Sequence, residues 1–141
     1  IGVSNFTIDL LDKAEKILGK GEIYTNQIEI HPFMQNKKVV EACKGKGIKA
    51  TAYMPFAVGK VMKDENLLRI AQNHNATPAQ VILAWMEKRH IHAIPSSTSK
   101  VHLAENLAYG GAHLTDSELE LIDDLDNGDR IVSPDFAPDW D

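Results

Sequence analysis

The chain has 141 residues, 43% of them hydrophobic and 25% charged, with a formal net charge of −5. That is the size and balance of one ordinary domain, and the acidic charge excludes bulk binding to nucleic acid or an anionic membrane, which needs a basic face. The single cysteine, Cys43, excludes a disulfide framework or a cysteine-cluster metal site. With no apolar run long enough to span a membrane and no signal sequence before the first element, a reducing, cytoplasmic setting is expected.

The opening stretch IGVSNF reads as a core strand, residues 1–5, that delivers two small polar residues, Ser4 and Asn5, to a surface. Residues 7–18 place Ile8, Leu11, Ala14 and Leu18 on one helical stripe, and Gly19 and Gly21 stop the helix. TNQIEIHP alternates Gln27, Glu29 and His31 against Ile28 and Ile30, which predicts a strand over 25–31. QNKKVVEACKGKG is a helix ended by Gly45 and Gly47, with Cys43 at helical spacing as a small buried hydrophobe. IKATAYMP is a strand over 48–54, stopped by Pro55. Two helices follow, ENLLRIAQNHN and then TPAQVILAWMEKRH. In the second, Thr77 is the N-cap, Pro78 the first helical residue, and Gln80 completes a capping box. IHAIP gives a short strand over 91–95 and SKVHLAENLAYGG a helix. TDSELELIDDLDNG is a last helix with its own capping box, Thr115 to Glu118, and residues 129–141 form an extended tail.

The order β-α-β-α-β-α-α-β-α-α predicts parallel strands joined by right-handed crossovers. Two α/β architectures compete, a doubly wound open sheet and a (β/α)8 TIM barrel. No GxGxxG follows the first strand; the GKG triplets at 19–21 and 45–47 follow helices. Gln27 and Glu29 on one face of a central strand suit a barrel interior better than a helix-covered sheet. Four strands make half a barrel, so the chain is expected to be a half whose first four βα units lie elsewhere.

In a barrel, chemistry collects at the C-terminal ends of the strands. Those ends carry Ser4 and Asn5, then His31 and Pro32, then Tyr53, Met54, Pro55 and Phe56, then Ser96, Ser97 and Thr98. Hydroxyl residues before a helix make an anion site at its positive end, and Lys100 in the first turn is unfavourable there unless an anion binds. Ser97 or Ser99 could equally serve as a plain helix cap. Tyr53 offers a flat surface for stacking, or is an ordinary rim aromatic. The six histidines show no HExxH spacing, so no metal is expected, and His31 before proline reads as structural.

IGVSNF, NQIEIHP, TAYMP and the PSS…EN pattern together resemble the C-terminal half of the aldo-keto reductases, NAD(P)H-dependent carbonyl reductases on a (β/α)8 barrel. HNATPAQVILAW, IPSST and RIVSPDFAPDWD look most like the bacterial 2,5-diketo-D-gluconate reductase B group within that family. The resemblance implies that Ser4, Asn5 and Gln27 bind the nicotinamide carboxamide and that Tyr53 stacks on its ring. Met54, Pro55, Phe56 and the loop through Lys60 would lie along the pyrophosphate. Ser96, Ser97 and Thr98 would surround the adenosine phosphate, with Glu105 and Asn106 on the adenine. The tail over the pocket would bring Trp140 to the substrate, a small carbonyl compound.

Two departures matter. Many family members carry a lysine where Ser96 stands and an arginine where His102 stands, so NADPH is the expected cofactor with NADH possible, and Lys100 the remaining source of charge. The family's catalytic Asp, Tyr, Lys and His lie on its first four strands, so this chain is expected to hold no catalytic residue and to be inactive alone. The alternative is a non-catalytic nucleotide-binding or interaction half-barrel that self-associates.

Overall fold

A computed structural model describes all residues, 1–141. Its elements follow the predicted order: β1 (Gly2–Ser4), α1 (Ile8–Leu18), β2 (Thr25–Glu29), α2 (Lys37–Gly45), β3 (Lys49–Tyr53), α3 (Glu65–Asn73), α4 (Pro78–Lys88), β4 (His92–Ala93), α5 (Lys100–Leu107) and α6 (Asp116–Asp123). Short 3-10 turns at Ala57–Gly59, Val61–Lys63 and Tyr109–Gly111 complete the list. All three strand pairings are parallel and the sheet order is β1-β2-β3-β4. A doubly wound sheet reverses its order at a switch point. This one does not, as expected for an arc of a barrel.

Helix starts were written locally. Thr7 accepts from the Leu10 amide, and Thr77 and Thr115 both form the reciprocal capping box, with Gln80 and Glu118 respectively. The strands are shorter than predicted. β2 stops at Glu29 rather than at His31, because His31 and Met34 exchange backbone hydrogen bonds in a tight turn around Pro32. β4 is two residues long, because Pro95 ends it and only β3 pairs with it. α2 begins two residues after Gln35, since Asn36 turns left-handed at φ 48°.

Register sorts the side chains. Ser4 pairs with Gln27 and Gln27 with Thr51, while Glu29 pairs with Tyr53. One face of the sheet is therefore polar: Ser4, Thr25, Gln27, Glu29, Thr51 and Tyr53. The opposite face carries Val3, Ile28, Ala50, Ala52 and Ala93, and it meets the helices. Its one polar member, Asn26, is fully buried, donating to the Phe6 carbonyl and accepting from the Phe6 amide.

α4 is apolar all round and is buried at Ala79 and from Val81 to Met86. Such a helix needs neighbours on every side; it packs on α3, on α5 and on β4. Cys43 is fully buried in the same core, and burial pushes its thiol pKa up. No helix is long and apolar enough to cross a membrane.

Candidate functional site

The polar face of the sheet ends, at its C-terminal edge, in a connected set of side-chain and main-chain groups. Asn5 turns the chain out of β1 in a left-handed conformation, φ 58°, which asparagine tolerates better than most residues. The Asn5 amide and the Ser4 hydroxyl both donate to the Gln27 carbonyl, at 3.0 and 2.9 Å. From β3 the Tyr53 hydroxyl reaches across β2 and donates to Asn5 Oδ1 at 3.0 Å. Ser4, Asn5, Gln27 and Tyr53 are thus one cluster. Burial pushes the Tyr53 pKa up, and the Glu29 carboxylate adds to that; Arg130 and the Asn5 contact oppose it. The Asn5 contact fixes the Tyr53 ring at the strand end.

The loop after Tyr53 is conformationally costly. Met54, Ala57 and Val58 all have positive φ, at 50, 48 and 53°. Left-handed geometry at a β-branched valine persists only where the surroundings impose it, and such strain gathers at binding loops. Pro55 and Ala57 are buried and Phe56 half-buried, while Met54 and Val58 are exposed. The Lys60 ammonium leaves the loop to pair with Asp129 at 2.8 Å.

After β4, Ser96, Thr98 and Lys100 are exposed and Ser97 is half-buried. Ser99 caps α5 by accepting from the His102 amide, and Ser97 Oγ accepts from the Ser99 amide at 3.1 Å. Ser97 therefore shapes the turn that presents Ser96 and Thr98. Glu105 and Asn106 are half-buried on α5. A cavity of about 660 Å³ lies away from the Tyr53 cluster. It lies between α4, α5 and β4 toward the strand starts, lined by Lys49, Glu87, His92, Leu103 and Leu107 among others, and Asn106 alone of the predicted site residues reaches it.

The tail supplies the feature that sequence reasoning missed. Glu29, fully buried, accepts from the Ile131 and Val132 amides at 2.7 Å each and from His31 Nε2 at 3.0 Å. Asn36 donates to the Glu29 carbonyl at 2.6 Å and accepts from Arg130 at 2.7 Å. Arg130 in turn lies 4.0 Å from the centroid of the Trp140 ring. The tail then reaches α1, where Asp141 accepts from the Ile8 amide at 3.0 Å. It crosses the ends of β2 and β1, and Trp140 is half-buried against Arg130. A carboxylate on a central strand, two residues before a histidine on the same face, was the available signal; nothing local named its partners. No three His, Cys, Asp or Glu side chains come together in a way that could hold a metal ion.

A sequence model described as the aldo/keto reductase family matches residues 1–127. The chain is 51% identical over 142 residues to the methylglyoxal reductase DkgB of Salmonella typhi, covering 100% of this chain and 53% of that protein. It is 35% identical over 133 residues to the glyoxal reductase of Bacillus subtilis (strain 168), covering 93% of this chain and 47% of that protein. A crystal structure assigned to 2,5-diketo-D-gluconic acid reductase B superposes with a TM-score of 0.94 at 34% identity, over 100% of this chain and 51% of the other. The NADPH complex of a Gox0644 variant superposes with a TM-score of 0.89 at 33% identity, over 96% and 49%. The chain spans about half the length of the curated relatives it matches.

Proposed function

The chain belongs to the aldo/keto reductase family, and from that premise we propose that it is the cofactor-holding, C-terminal half of an NADPH-dependent carbonyl reductase built on a (β/α)8 barrel. The observation that carries the reading is the joining of Tyr53 to Asn5 beside Ser4 and Gln27, three strand ends converging on one polar patch. The Gln27 side chain projects from the polar face, and its amide can pair with a carboxamide. The Tyr53 ring supplies a stacking face, a contact worth about 0.5–1.5 kcal/mol beyond the area it buries. The loop from Met54 to Lys60 would lie along the pyrophosphate and presents its backbone to it, while the Lys60 ammonium is held by Asp129. Ser96, Thr98 and Lys100, all exposed, present hydroxyls and a positive charge to the adenosine phosphate. NADH would fit the same cradle without using Lys100. Glu105 and Asn106 are the side chains on α5 available to the adenine.

A cofactor held by Ser4, Asn5, Gln27 and Tyr53 would supply hydride for the carbonyl carbon of a small aldehyde or ketone. The chain's own residues then do two things: they orient the ring, and the tail shields one side of it from water. Protonating the carbonyl oxygen needs a general acid, and on this reading Tyr53 is already committed to the ring. The acid therefore has to come from the other half of the barrel. The sheet's two unpaired edges support this reading, and exposed apolar residues lie beside the β4 edge: Ile94 directly after the strand, and Leu103 and Leu107 on α5. A closing half-barrel would cover such surface and pair both edges.

The test is turnover and binding in the protein that carries both halves. Methylglyoxal, for which the DkgB relatives are named, is the first substrate to try, with NADPH oxidation followed at 340 nm. The expected result is NADPH-dependent reduction that this 141-residue chain alone does not perform. No cofactor binding and no reduction of any small aldehyde would overturn the reading.

A further inference from the structure

The carboxylate of Glu29 is fully buried, and it holds nothing but the tail and one histidine. Its two oxygens divide the work: Oε1 accepts from Ile131 N and His31 Nε2, and Oε2 from Val132 N. Residues 131 and 132 belong to no helix or strand. Their amides would otherwise need water, yet they are satisfied by a charged acceptor 102 and 103 residues earlier in sequence. Hydrogen bonds to an ionised group are shorter and stronger than those between neutral groups, enough to fix an extended segment that has few other constraints.

The placement matters because Glu29 pairs in register with Tyr53 and lies two residues beyond Gln27 on the same face. The tail hung from it runs across the ends of β2 and β1, with Trp140 folded back onto Arg130 and Asp141 on the Ile8 amide. We propose that Glu29 is a positioning residue for substrate selectivity: its carboxylate fixes residues 131–132 beside the ring-binding cluster, so that the tail forms a wall of the carbonyl pocket. This rests on the reductase reading above. Asn36 and Arg130 brace the wall from behind, since Asn36 bridges the Glu29 carbonyl and the guanidinium.

Glu29→Gln keeps shape and volume but replaces one acceptor oxygen with an amino group, which faces an amide donor instead of accepting from it. At least one tail amide loses its partner. The expected result, in the protein carrying both halves, is a rise of about tenfold or more in KM for the carbonyl substrate, the equivalent of one charge-assisted hydrogen bond. The change in kcat should be smaller, and NADPH affinity should not move. A purely structural role would instead lower the active fraction, reducing kcat at constant KM. Hydrogen exchange supplies the reading that does not depend on activity. The Ile131 and Val132 amides should exchange slowly in the unaltered protein, despite lying outside regular structure, and rapidly in Glu29→Gln.

Fast exchange of both amides in the unaltered protein would overturn the anchor. Lost protection with an unchanged KM, or an equal loss of NADPH affinity, would overturn the selectivity role. If Glu29→Gln fails to fold, Ile131→Pro removes one donor while leaving Glu29 intact, and the same KM shift is expected. Absence of turnover in the unaltered protein would instead count against the reductase reading, with the exchange data still judging the anchor by itself.

Discussion

Tyr53 and Asn5 lie 48 residues apart in the chain, and the hydroxyl of one donates to the side-chain oxygen of the other at 3.0 Å. The bond ties the end of β3 to the end of β1 across β2, and it separates two functions of one side chain. Tyr53→Phe keeps the ring and frees Asn5, whereas Tyr53→Ala removes both. If the ring stacks on a nicotinamide, Tyr53→Ala should cost about 0.5–1.5 kcal/mol of dinucleotide affinity, roughly a two- to twelve-fold rise in Kd. Tyr53→Phe should cost less, because it keeps the ring that makes the stacking contact and loses only the bond to Asn5. Calorimetric titration of both variants decides it: equal losses would shift the credit from the ring to the Asn5 contact, and no loss in either would return Tyr53 to the rim.

Lys100 is exposed in the first turn of α5, where the helix dipole disfavours a cation. That placement is explained if the lysine meets the 2′-phosphate, the only group by which NADPH exceeds NADH in charge. A solvent-exposed ion pair is worth up to about 1 kcal/mol, so Lys100→Ala should raise the Kd for NADPH a few-fold and leave that for NADH unchanged. Parallel titrations at low ionic strength would show the difference, and salt should erase it. Equal weakening of both cofactors would remove Lys100 from phosphate recognition.

The element order was legible because its punctuation is local. Gly19, Gly47 and Pro55 stop elements, and the Thr77 and Thr115 boxes start them, each through contacts within three residues. The fold class followed from that order together with the polar pair Gln27 and Glu29 on one strand face. What could not be read is set by contacts far apart in sequence or by backbone strain. Nothing near Glu29 names Ile131 and Val132 as its partners, nor does anything near Met54, Ala57 and Val58 announce left-handed geometry in residues that avoid it. The strand ends were misplaced for a related reason: whether His31 extends β2 or turns back to Met34 depends on pairing, which alternation of residue types does not encode.

His31 has no exposed surface, and burial pulls its pKa below the ordinary value; the hydrogen bond and charge of Glu29 oppose this, Asp129 joins Glu29, and Lys60 adds to the lowering. The sign follows. A depressed folded pKa means that the unfolded chain takes up the proton first, so stability is complete above about pH 6.5, the unperturbed value, and falls as pH drops through the folded value. Denaturant midpoints measured between pH 8 and pH 5 should therefore decline through the lower half of that range. His31→Gln, which keeps a side-chain donor for Glu29, should flatten the decline. Burial raises the Glu118 carboxyl, but Thr115 and His74 outweigh it and hold the pKa low, so its contribution begins to fall only below about pH 4.3, the ordinary glutamate value, a more acid onset than that of His31. Parallel curves for His31→Gln and the unaltered protein would assign the decline to other groups.

Asp123 closes α6 onto α4 by two unequal bonds. Its Oδ1 accepts from the Trp85 indole N–H at 2.8 Å, and both its oxygens face the Arg89 guanidinium. The arginine pair looks the stronger by charge, but Arg89 is 37% exposed and Asp123 27%, so water screens it to about 0–1 kcal/mol. Trp85 is 1% exposed, and its N–H has no other acceptor; leaving it unpaired costs about 1–3 kcal/mol. The indole should therefore dominate. Asp123→Asn, which keeps the acceptor and loses the charge, should cost less than about 1 kcal/mol, and Asp123→Ala about 1–3 kcal/mol. Urea unfolding of the two variants beside Arg89→Ala orders the terms: a large loss in Asp123→Asn, or in Arg89→Ala, would mean that the ion pair rather than the buried indole holds α6 in place.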